Sequence, residues 1–288
     1  DLVLLDLNNG TTKVLVAGES LLQPAWIQGV VVQCWSPESD RIIFLKKEHG
    51  LTSLHLVDVA TGKLTPVDVH PYTSLGHPSA AVDGKIAMIA AAPNVSPRII
   101  SLSQGQVTIH QRSTSEAVPL ADLPTPYEIS WTSTDGETVF GIYSPPTSSR
   151  YEGEGLPPAI VLIHGGPTSA VSIGYNLEAA FFTNRGYAYL EVNYRGSTGY
   201  GRKYREALRG KWGDLDVIDA AGGAQALVDQ GLADPNRIVI KGGSAGGYTV
   251  LNSLIRFPGL FKAGLCSYGV TNLFTLAMDT HKFEARYN

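Results

Sequence analysis

Arg237-Ile238-Val239-Ile240, followed at once by Lys241-Gly242-Gly243-Ser244-Ala245-Gly246-Gly247, is the stretch on which the fold turns. Three β-branched residues in a short apolar run predict a buried strand, and Val250, Leu251, Leu254 and Ile255 recur at helical spacing just beyond it. Between the two stands a serine with glycine two places before and two places after. That spacing is what a sharp strand-to-helix elbow needs, because a Cβ at either glycine would strike the neighbouring strand or helix. The elbow exposes the serine hydroxyl and sets the Ala245 amide at a helix N-terminus, where it can donate to a developing oxyanion. A glycine-rich strand-to-helix turn can instead cradle a phosphate. No G-x-G-x-x-G or P-loop spacing is present, and several strands precede the turn, so the serine reading is preferred.

A second stretch, Ile163-His164-Gly165-Gly166-Pro167, ends an apolar run at residues 159–163 that is expected to lie beside the elbow strand. Glycines there would let an amide of Gly165 or Gly166 approach a substrate carbonyl and complete an oxyanion hole with Ala245. His164 precedes Ser244, whereas the order in hydrolases of this type is serine, acid, histidine, so it is read as a structural, loop-bracing histidine. Further runs at residues 187–192 and 263–266 alternate with helix-type segments. Together they predict a mostly parallel sheet with helices on both faces. One of those helices is expected to begin with Asp214 as its cap, to carry Val217, Ile218, Ala221, Ala224 and Val228 on one stripe, and to end before Gly231. Strands at residues 127–131 and 138–143 flank the turn Asp135-Gly136, and the prolines at 119, 124 and 126 mark a linker, placing a domain boundary near residue 122.

Upstream, residues 1–122 show short β-type runs without helical period. Asp6-Leu7-Asn8-Asn9-Gly10 before Lys13-Val14-Leu15-Val16 is echoed, 52 residues on, by Asp58-Val59-Ala60-Thr61-Gly62 before Lys63-Leu64-Thr65. Weaker echoes, Trp35 to Asp40 before Arg41-Ile42-Ile43-Phe44 and Val82-Asp83-Gly84-Lys85 before Ile86-Ala87-Met88-Ile89, complete a recurrence suited to propeller blades. An ordinary β-sandwich is the alternative. A closed propeller needs about four blades or more, and only two or three units fit here, so a partial propeller is expected.

Composition narrows the function. With 43% hydrophobic and 17% charged residues in 288, the chain can bury a real core, and a formal net charge of -4 without blocks of like charge disfavours nucleic acid and membrane surfaces as partners. No apolar run approaches the roughly 18 residues of a span. Cys34 and Cys266, far apart, are read as isolated core thiols rather than a disulfide or metal pair. No cofactor or metal is expected. The first residue is Asp1 and no signal peptide is recognisable, so localisation defaults to the cytoplasm.

His164-Gly165-Gly166-Pro167, Asn193-Tyr194-Arg195-Gly196-Ser197-Thr198-Gly199-Tyr200-Gly201, Trp212-Gly213-Asp214 and Gly242 to Tyr248 together, in this order, resemble the prolyl oligopeptidase family of serine peptidases, especially its acylaminoacyl-peptidase and dipeptidyl-peptidase-like branch. The resemblance implies a C-terminal α/β-hydrolase fold over residues 123–288, behind an N-terminal β-propeller. It makes Ser244 the nucleophile, the amides of Ala245 and of Gly165 or Gly166 the oxyanion donors, residues 194–201 a structural loop near the site and residues 212–219 a bracing helix start. Short peptides are the implied substrates, and a homo-oligomer is possible. Ala245 departs from the aromatic residue that often follows the serine in this branch and is common among esterases, so a carboxylesterase stays open, as does a silent binding module. The family's acidic and histidine partners come after two later strands. Asp279 and His281, two residues apart, suit a surface helix or loop instead, so the triad is expected to be incomplete within these 288 residues and the chain alone inactive.

Overall fold

In the computed structural model, which describes residues 1–18, 21, 27 and 29–280, the turn-bounded runs of the first part pair into antiparallel hairpins. Strands β1 (Leu2–Leu5) and β2 (Thr12–Val16) form one hairpin. Strands β3 (Gln33–Trp35), β4 (Arg41–Glu48), β5 (Leu51–Asp58) and β6 (Leu64–Val67) make a four-stranded meander, and β7 (Ser74–Ala80), β8 (Ile86–Ala92), β9 (Val95–Ser103) and β10 (Gln106–Arg112) a second. The two aspartate turns are the same device. Asp6 accepts from Gly10 N at 2.8 Å and donates its own amide to Thr11 O, and Asp58 does so with Gly62 N, also at 2.8 Å, and Lys63 O. The glycine is required because Gly10 and Gly62 sit at φ +71° and +73°, where L side chains are strained. The meanders share one core of Ile43, Leu45, Leu54, Ile86, Met88, Ile100 and Leu102. Cys34 lies partly buried beside it, and Cys266 is exposed, so neither is a core thiol.

A six-stranded sheet follows the linker. In chain order come β11 (Tyr127–Thr132), β12 (Thr138–Ser144), β13 (Ala159–Ile163), α1 (Leu177–Thr183), β14 (Ala188–Asn193), α2 (Gly201–Glu206), α3 (Leu215–Asp229), β15 (Ile238–Gly243), α4 (Ala245–Arg256), β16 (Ala263–Ser267) and α5 (Leu273–Asp279). The spatial order is β11-β12-β14-β13-β15-β16. Ladders β14/β13, β13/β15 and β15/β16 are parallel, but β11/β12 and β12/β14 are antiparallel. Only β12 runs against the other five strands, so the sheet is mostly parallel as expected, and the Asp135-Gly136 turn, too short for a crossover helix, is what reverses that one strand.

Alternation along β13 explains the two covered faces. Val161 and Ile163 join the core packed on by α3 and α4, while Ile160 and Leu162 pack with Ala179 and Phe182 of α1. Val161, Leu190, Val192 and Ile240 are fully buried, each worth about 1.5–3 kcal/mol of hydrophobic stabilisation. Helix α3 is covered on most of its circumference rather than on one stripe, because Asp216, Asp219 and Leu227 are buried as fully as Val217 and Ala224. Asp214 precedes it but caps nothing; its carboxylate accepts from Arg256 Nη1 at 2.9 Å, and the Gly213 amide is taken by Asp216 Oδ1 at 2.6 Å. β16 has an inner strand's sequence but is exposed at all five positions, its one partner among the described residues being β15. The linker is a short 3-10 turn at Leu120–Asp122, and Asp122 fastens it by accepting from Ser149 N at 2.7 Å and Asn184 Nδ2 at 2.8 Å.

Candidate functional site

β15 ends at Gly243 and α4 begins at Ala245, so Ser244 is the whole turn between them. It is exposed, at φ 54° and ψ -123°, a conformation that costs a non-glycine residue about 1–3 kcal/mol and that the surroundings must impose. They do so through three backbone bonds: Ser244 N donates to Ser267 O, and Ser244 O accepts from the amides of Tyr248 and Val270. The two flanking glycines are steric necessities. A Cβ on Gly242 would lie 2.5 Å from Gly246 O, and one on Gly246 would lie 2.2 Å from Ile163 O, all backbone atoms that cannot step aside. Thr249, one turn into α4, donates to buried Asp216 Oδ2 at 2.5 Å and locks the elbow helix to α3.

β13 pairs with β15 as expected, bringing its glycine loop to the serine. A Cβ built on Gly165 would stand 3.5 Å from Ser244 Cβ and 4.0 Å from its Oγ. Ala245 is buried at the start of α4. The amides of Gly166 and Ala245 donate to no acceptor among the described residues. The loop is positioned by His164 and by the segment that follows β14. His164 is buried, and burial pushes its pKa down to about 4, so its ring is neutral. Nδ1 lies 2.8 Å from Gly165 O, and Nε2 lies 2.8 Å from the Ser197 hydroxyl, which itself donates to Tyr194 O at 2.7 Å. Tyr194 stacks on the His164 ring, its centroid 4.3 Å away, and donates its hydroxyl to Pro167 O at 2.6 Å. Asn193 holds both backbone groups of one residue, accepting from Val171 N at 2.8 Å and donating to Val171 O at 3.1 Å. His164 thus has the bracing role the sequence suggested, and residues 193–197 form the brace.

Beneath the brace lies a buried ion cluster. The Arg195 guanidinium, 5% exposed, pairs with fully buried Asp219 at 2.7 Å, donates to Ser133 Oγ at 2.9 Å and also pairs with Asp135. Its backbone amide donates to Asp219 Oδ2 at 2.8 Å. Burial raises the Asp219 pKa despite these partners. No signal short of the family motif marks these residues in the sequence, because their separations, 86 residues from Ser133 to Asp219, carry no local period.

No group of three or more His, Cys, Asp or Glu suited to a metal occurs among the described residues. Asp279 ends α5, whose described residues are largely exposed, while His281 lies outside the described residues. A second perturbed carboxyl, Glu191, is buried in β14; desolvation, with Glu178 nearby, pushes it up to about 7 against a bond from Asn176 Nδ2. An acid whose pKa is higher in the fold than in the unfolded chain favours the fold only while protonated. Stability should therefore fall as pH rises from about 4.5 to about 7 and then level, by on the order of 3 kcal/mol for that 2.5-unit shift. Glu191→Gln should flatten this window in thermal unfolding scans across pH 5–8; a variant that keeps the wild-type slope would exclude Glu191 as its source.

Residues 173–288 match the family described as the prolyl oligopeptidase family. A dipeptidyl aminopeptidase BIII of Pseudoxanthomonas mexicana is 37% identical over 169 residues, covering 56% of this chain and 24% of that protein. The acylamino-acid-releasing enzyme of Mus musculus is 27% identical over 260 residues, covering 86% of this chain and 35% of that protein. Among solved structures, a puromycin-hydrolyzing peptidase of Mycobacterium tuberculosis aligns at 36% identity with a TM-score of 0.88, covering 98% of this chain and 44% of that one. The chain spans less than half the length of each of these relatives.

Proposed function

We propose that the chain, whose residues 173–288 match the prolyl oligopeptidase family, carries the nucleophile of a serine peptidase acting on short peptides. The observation that carries the reading is Ser244 itself: an exposed hydroxyl forced to positive φ, beside a glycine loop whose peptide direction is fixed. In the proposed reaction Ser244 Oγ attacks the scissile amide carbon as its proton passes to an imidazole, which none of the described residues supplies. We place that histidine and its acidic partner in the complete enzyme, on loops following strands beyond β16. The oxyanion then accepts from Ala245 N–H and a glycine-loop amide. With Gly165 O held by His164, the N–H of the same trans peptide, that of Gly166, faces the other way, so Gly166 is our choice of second donor. Collapse breaks the C–N bond, the amine leaves with the proton, and water repeats the sequence on the acyl-enzyme. We divide the chain near residue 122 into partial propeller and catalytic domain.

Ala245 supports a second reading, an esterase on the same scaffold. The discriminating assay gives the complete enzyme acetyl-Ala, free Ala-Pro and blocked Gly-Pro anilides beside a short-chain ester. Anilide cleavage is expected, and the best anilide identifies the branch; turnover of the ester alone would replace the peptidase reading.

A further inference from the structure

The β4/β5 hairpin, far from Ser244 in sequence, ends in a turn, His49-Gly50, that enters the hydrolase sheet region. Gly50 O accepts from Ile173 N at 2.7 Å, and His49 N donates to Gly199 O at 3.3 Å. Thr73 adds a third tie, its hydroxyl donating to Ile173 O at 2.6 Å. The His49 ring stands edge-on to Phe140 and Tyr200, with Nδ1 2.9 Å from Glu128 Oε2. A side chain on residue 50 would press on the neighbouring isoleucines and strain the turn. A Cβ there would lie 2.8 Å from Ile142 Cδ1 and 3.3 Å from Ile173 Cγ1, and its φ is +74°.

Ile173 is the far end of the segment that begins at Gly165 against Ser244. The near end is held by His164 and Tyr194 and the middle by Asn193, all within the hydrolase sheet and its loops. Among the described residues, the hydrogen bonds from the first meander and Thr73 reach this segment at its far end. We propose that Gly50 is a positioning residue: through Ile173, the β4/β5 turn sets the placement of the glycine loop at Ser244, so the β-rich part contributes to the rate of reaction. This rests on the serine-peptidase reading above. The chemistry makes such a role measurable, since a donor displaced by about 1 Å can cost up to a hundredfold in rate while leaving ground-state binding nearly intact.

The experiment compares wild-type complete enzyme with Gly50→Ala, Gly50→Ala/Ile142→Val and Thr73→Val, using the best anilide. Each kcat is expressed per active site titrated with a fluorophosphonate, so unfolded protein does not count. Gly50→Ala should lower kcat about tenfold with KM within twofold of wild type. Removing Cδ1 in the double variant should recover part of that loss, and Thr73→Val, which adds no bulk, should lower kcat a few-fold. Unchanged kcat per site in both Gly50→Ala and Thr73→Val would overturn the proposal, as would losses confined to KM. A wild-type enzyme without serine-dependent turnover would instead sink the peptidase reading itself.

Discussion

Ser244→Ala in the complete enzyme should lower kcat for the best anilide by about a millionfold, with KM nearly unchanged and fluorophosphonate labelling abolished. The size follows from what the substitution removes. Without Oγ no acyl-enzyme forms, so every step that the oxyanion donors assist through that bond is lost together. The substitution is also clean. Serine and alanine are both strained at φ 54°, and the three bonds that impose the conformation use only backbone atoms of residue 244. The thermal midpoint should therefore shift little, which separates lost chemistry from lost fold. Residual activity above about a thousandth of wild type, unlabelled by the probe, would mean that another group attacks the substrate.

That Ser244 could be singled out before any coordinates reflects where its constraints lie. The elbow is local: Gly242 and Gly246 are excluded from bearing a Cβ by atoms within a few residues or in the adjacent strand, and G-x-S-x-G states that requirement in five letters. The aspartate turns at Asp6 and Asp58 are legible for the same reason, each closing its bonds within five residues. What escaped is non-local. The spatial order β11-β12-β14-β13-β15-β16 departs from chain order, and an apolar run by itself does not specify which strands it will lie between. Asp214 was expected to cap α3 because cap propensity is local, but Arg256, 42 residues on, takes its carboxylate. The brace bonds of Asn193 and Ser197 reach across 22 and 33 residues and the Gly50 wedge from residue 50 to residue 173, and no periodicity marks them.

The second large effect is expected at Arg195, which touches neither Ser244 nor the glycine loop. Arg195→Met should destabilise the part of the chain built on the six-stranded sheet by about 3–5 kcal/mol, a fall of roughly 10 °C in thermal midpoint, because it leaves the Asp219 carboxylate buried without its counter-ion. The pair need not be net stabilising for this to hold, since the cost arises from orphaning one charge rather than from losing an attraction. Two consequences separate this account from simple loss of packing. Adding Asp219→Asn to Arg195→Met should restore much of the lost stability, because the amide oxygen can still accept from the residue 195 N–H, now at 2.8 Å from Asp219 Oδ2, while no charge remains to be buried. The single variant should also be least destabilised in mild acid. Burial already raises the Asp219 pKa with Arg195 in place, and removing the guanidinium raises it further, so protonation at moderately low pH removes the buried charge. Thermal scans of the two variants from pH 5 to pH 8 decide the matter: if the single variant is equally unstable throughout and the added asparagine recovers nothing, the Arg195 side chain stabilises by packing, and the buried carboxylate is not what it is there to neutralise.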